Sequence, residues 1–163
     1  METAVAEQPA ATDVGGAPVR TITITLRIGD RDYGDMVVPE GLTVAQALGH
    51  APEVPEGLDR VVVNDRFKRS VPTTSRVKVC DGDSLFVTAF THYQILNEQC
   101  TKVLSEGGLP LVGLPYAEVK PVLEAATSTG LTSPVLVDGQ PVTDERRRTG
   151  TVQQGEIIAG PDP

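Results

Sequence analysis

From Arg20 the chain alternates between apolar and polar positions. Ile22, Ile24, Leu26 and Ile28 fall between Thr21, Thr23, Thr25 and Arg27, and a period of two puts every apolar side chain on one face of a β-strand. Gly29-Asp30 supplies a turn, and Tyr33 to Val38 read as the returning strand. The period then lengthens. Val44, Ala47 and Leu48 share one helical face, Thr43 is placed to cap the helix, and Gln46 three residues on completes a capping box. Pro52 and Pro55 stop the helix early. Arg60 to Lys68 reads as a hairpin of three valines, an Asn64-Asp65 turn and Phe67, because Asn and Asp tolerate the positive φ of tight turns. Val77-Lys78-Val79 and Leu85-Phe86-Val87 flank a second turn at Asp81-Gly82-Asp83. The predicted order is strand, strand, helix, strand, short strand, strand.

The same order returns further on. Val119, Val122, Leu123 and Ala126 make a helical face from Pro115 onward, with Pro121 near the start and Gly130 as a stop signal. Pro134 to Gln140 hold an Asp138-Gly139 hairpin turn, and a Gln154-Gly155 turn leads into a last strand, Glu156 to Ala159. Asn64 and Asp138 stand 74 positions apart, and Gly82 and Gly155 stand 73 apart. Such a period predicts two copies of one unit. The opening of the second copy leaves two readings: a hairpin of Tyr93 to Asn97 with Cys100 to Leu104, or a second strand at Leu109 to Leu114. Phe90 to Tyr93 is the join, so the linker is very short.

Composition narrows the picture. The 163 residues suit two small units, and an apolar content of 39% with three Phe, three Tyr and no Trp predicts cores of Val, Leu, Ile and Ala. Residues 1–18 are rich in Ala, Pro, Gly and acidic residues without periodicity, which predicts a disordered arm. A net charge of −8 argues against nucleic-acid partners. The basic run Arg146-Arg147-Arg148 beside Asp144 and Glu145 reads as a solvated loop. No apolar run reaches the roughly 18–20 residues of a membrane span, and the start lacks the basic and hydrophobic blocks of a secretory signal. Two cysteines, Cys80 and Cys100, give neither a disulfide framework nor metal-ligand spacing. A cytoplasmic protein without cofactor or metal is expected. His50 and His92 lack catalytic neighbours, and neither Gly15-Gly16 nor Gly107-Gly108 belongs to a phosphate-binding motif. No enzyme chemistry is expected.

At these residues the chain resembles the β-grasp proteins, the fold of ubiquitin and of the small sulfur carriers of thiamine and molybdopterin synthesis. The valine strand with its Asn-Asp turn and the Asp-Gly-Asp turn before an apolar strand carry the likeness in residues 19–90. Residues 93–160 resemble a diverged copy. The resemblance implies an α+β chain of two tandem ubiquitin-like domains, each a mixed sheet packed on one helix, with residues 161–163 as a tail. It is similar to the tandem ubiquitin-like modifiers, some of which act in bacterial antiphage defence.

The resemblance also implies a site. In these modifiers a terminal glycine is adenylated and passed to a thiol, then joined to target lysines by an isopeptide bond. Here Ile157-Ile158-Ala159-Gly160 is followed by Pro161-Asp162-Pro163. Gly160 is therefore the expected attachment point, with a peptidase cutting between Gly160 and Pro161. The implied partners are activating and conjugating enzymes, that peptidase and the target proteins. A single glycine stands where a pair is usual. The alternatives are a sulfur carrier with Gly160 as thiocarboxylate, or a non-covalent interaction module.

Overall fold

The computed structural model describes residues 20–131 and 134–161, with the side chains of Arg146 and Arg148 left out. The expected arm of residues 1–18 and the tail residues Asp162 and Pro163 lie outside the described residues.

The first half is built on β1 (Thr21–Ile28), β2 (Arg31–Pro39), β3 (Arg60–Val63), β4 (Val71–Pro72) and β5 (Ser84–Thr88), with helix α1 (Val44–Leu48) between β2 and β3. The second uses β6 (Phe90–Leu96), β7 (Val103–Pro110), β8 (Leu136–Val137), β9 (Gln140–Pro141) and β10 (Ile157–Pro161), with α2 (Tyr116–Thr127) and α3 (Asp144–Thr149). The protein is thus α+β, with two mixed five-stranded sheets. Their strand orders are β2-β1-β5-β3-β4 and β7-β6-β10-β8-β9. These are one order written twice, and in each the first and last strands of the half pair in parallel at the centre.

Local chemistry explains most element ends. Thr43 accepts from the Gln46 amide and the Gln46 side chain accepts from the Thr43 amide, closing the capping box. Asn64 and Asp65 have φ of 54° and 60°, and Asp138 and Gly139 have 51° and 81°. Both pairs take the doubly left-handed turn that matches strand twist. Helix α2 ends at Ser128, whose φ is 56°, two residues before the expected glycine stop. The turn's hydrogen bonds hold Ser128 there: the Thr127 hydroxyl donates to the Leu123 carbonyl and the Leu131 amide to the Glu124 carboxylate.

Each half carries its core on the face its helix covers. Ile22, Ile24, Leu26 and Ile28 meet Val44, Ala47 and Leu48, with Val61, Leu85 and Val87 closing the cluster. Burying each of the Val, Leu and Ile side chains among them stabilises the fold by roughly 1.5–3 kcal/mol before entropy. The second core gathers Ile95, Val119, Leu123, Leu131, Val137 and Ile158, and also takes in Val62 and Phe86 from the first sheet.

Several expectations are corrected. Phe90 to Tyr93 is the start of β6, and only Ala89 separates it from β5, so the halves share a nearly continuous strand. Phe67 does not return as a strand. It opens a single 3-10 turn, Phe67–Arg69, and β3 pairs instead with Val71–Pro72. Val77-Lys78-Val79 is no strand, and only Lys78 makes a bridge, to Thr43. The basic run lies in α3, not in a loop. The second copy opens with β6 pairing β7 straight through Gly107 and Gly108. The physical reason lies across the strand: a Cβ on Gly107 would come within 2.9 Å of the Tyr93 ring, and one on Gly108 within 3.6 Å of Phe90. The glycines make room for aromatic rings, so they do not break the strand.

Candidate functional site

The expected attachment point is not at a free end of the fold. Gly160 sits inside β10, opposite Ile95, and Pro161 is still paired with Leu96. Both residues are buried. A Cβ on Gly160 would meet Leu131 Cδ1 at 2.7 Å and Leu123 Cδ2 at 3.2 Å. Glycine is required here by packing, because two leucines of the second core rest on the strand at this point. Its φ is outside the left-handed region.

The turns leading into β5 and β10 are built alike. The Asn64 side-chain oxygen accepts from the Ser84 amide at 2.8 Å, and Asp138 accepts from the Ile157 amide at 2.8 Å. Asp83 accepts from the Cys80 amide at 2.8 Å, and Glu156 accepts from the Gln153 amide at 2.8 Å. Asp81 is bound to the Thr23 amide. The carboxylates around Gly82 therefore hold a turn together.

The two halves meet through a set of specific side-chain contacts. The Arg27 guanidinium stacks 5.0 Å from the Phe86 ring centre and donates to the carbonyls of Gly29 and Gly113. Phe67 meets Phe86 edge-on, with ring centres 6.2 Å apart. The buried Thr88 hydroxyl donates to the Val112 carbonyl. The Arg60 guanidinium stands 4.9 Å from the Phe90 ring centre. Apolar burial, cation-stacked aromatics and side-chain hydrogen bonds to backbone carbonyls together fix one half on the other.

No protein-family model matches this chain, and no curated protein matches it.

Along this contact runs a groove of about 710 Å³, bounded by the outer face of the first sheet and by α2. Phe67, Phe86, Leu114 and Val122 form its apolar floor. That volume lies within the roughly 300–1,000 Å³ range of ligand sites. The remaining candidates from the sequence stay apart. His50 and His92 are exposed and belong to different halves. Cys80 and Cys100 are free and exposed, Cys80 beside the Asp81-Gly82 turn. Among the described residues no group of His, Cys, Asp and Glu is arranged to hold a metal, and no helix is long and apolar enough to cross a membrane.

Sequence reasoning missed Arg27, Val62, Phe67 and Phe86 as interface residues. A signal was present. Val61-Val62-Val63 and Leu85-Phe86-Val87 are unbroken apolar runs, which mark strands covered on both faces.

Proposed function

We propose that this chain is a tandem ubiquitin-like protein of two fused β-grasp domains, acting as a non-covalent protein-interaction module. The repeated strand order, with a helix after the second strand of each half, supports the β-grasp reading. Two free, exposed thiols fit a reducing cytoplasm.

One observation favours the interaction module over the covalent readings: Gly160 is buried within a paired strand, and its bond to Pro161 lies in the sheet. A modifier or a sulfur carrier needs that carboxylate extended so that it can enter an adenylating enzyme. Here β10 would first have to separate from β6, and Leu123 and Leu131 would lose the strand they pack on. The proposed module works with β10 in place and presents surfaces that the two halves build jointly.

Intact mass of the chain isolated from its own cells tests this. The module predicts chains that retain the Gly160–Pro161 bond and carry no partner. A population ending at Gly160, with adducts on lysines of other proteins, would establish the modifier. The same truncation with sulfur in place of one terminal oxygen would establish the carrier.

A further inference from the structure

We propose that the groove between the first sheet and α2 binds a partner protein segment whose apolar side chain is flanked by lysine or arginine. The inference rests on the interaction-module reading and names the partner chemistry for it. The groove exists only because the halves are fused. Thr25 and Ser84 of the first sheet form one wall, and Pro121 and Ala125 of α2 form the other. Helix α2 therefore has two apolar aspects: Val119 and Leu123 are buried in its own core, while Val122 and Ala125 face the groove.

The floor selects an apolar anchor. Phe67 and Val122 are only half-buried, so apolar surface remains open to solvent between the two walls. Covering it with one leucine or phenylalanine side chain gains affinity without rearranging the backbone.

The rim selects the charge. Asp32, Asp65 and Glu118 are exposed around the groove, against one exposed cation, Lys68. Arg27 also lines it, but its guanidinium is turned onto Phe86 and bound to the Gly29 and Gly113 carbonyls. The net charge of −8 steers cationic segments toward the molecule as a whole. Strand addition is not the mode here, because β1 and β5 at the groove wall already pair on both sides. Side chains must carry the recognition.

The test uses the full chain and a short capped peptide with a central leucine–phenylalanine pair flanked by two lysines on each side. Its control replaces every lysine with glutamate. Binding is followed by amide chemical shifts and by fluorescence anisotropy at low and moderate salt. The expected result is shifts at Ser84, Val122 and Ala125, with the glutamate peptide about tenfold weaker or worse. Glu118→Lys and Asp65→Lys should each weaken the lysine peptide about threefold. Val122→Asp should abolish binding; should that variant unfold, Ala125→Lys on the exposed wall takes its place. Equal binding of both peptides, shifts confined to other surfaces, or no binding at millimolar peptide would overturn the proposal. The intact-mass result is independent of this titration, so the groove and the non-covalent reading fail separately.

Discussion

Gly113 of the second half lies directly against Gly29 of the first. A Cβ built on Gly113 would sit 2.3 Å from the Gly29 carbonyl carbon, and Gly113 holds a φ of +93°. Its counterpart in the first half is Gly41, with a φ of +91° and open space where a Cβ would go. The two glycines occupy equivalent loops before α1 and α2, yet only one is at an interface. Alanine at Gly41 should cost about 1–2 kcal/mol from backbone conformation alone. Alanine at Gly113 should cost at least about 2 kcal/mol more, because a backbone contact must open. Denaturant titration of both variants checks this, and equal losses would show that the halves are not closely seated.

Phe86 is a first-sheet residue that packs in the second core and is only 7% exposed. Phe86→Ala should destabilise the protein by about 3–5 kcal/mol. Because Tyr93 and Tyr116 belong to the second core, their near-ultraviolet signal should be lost at the same lowered midpoint as the far-ultraviolet signal. Retention of the wild-type midpoint by the tyrosine signal would mean that the halves unfold separately.

Gly160→Ala should destabilise by about 1–3 kcal/mol, since the new methyl group meets Leu131 and Leu123. Thermal unfolding measures it. A neutral result would place Gly160 outside the core and remove the objection to Gly160 as an attachment point.

The matched turns offer a test of the duplication at the level of energy. Asn64→Ala and Asp138→Ala each remove a side-chain acceptor for the following strand and leave a non-glycine residue at positive φ. Each should cost about 1–2 kcal/mol, and the double variant should lose the sum within about 0.5 kcal/mol, as the turns lie in different sheets. Strong non-additivity, read from denaturation midpoints, would mean the two turns are coupled through the interface.

Much of the fold was legible because it is local. The Thr43–Gln46 box, the Asn64-Asp65 and Asp138-Gly139 turns, and the turn glycines Gly82 and Gly155 are each decided within a few residues. The misreadings share a different cause. Gly107 and Gly108 look like breakers until Tyr93 and Phe90 lie across from them. Phe90 to Tyr93 looks like a linker until β7 and β10 pair with it.

By itself, the sequence determined the opening strands and helix of the first half, the tight turns, and the fact that one unit occurs twice. Only the tertiary structure decided what covers each strand: that Val62 and Phe86 face the second half, that Arg27 caps the contact, and that Ile157–Pro161 is a central strand with Gly160 under two leucines. The reason is range. Turn and cap energies depend on neighbours in sequence, whereas the pairing of β10 with β6, and the packing of one half on the other, depend on residues brought together only when the chain closes on itself.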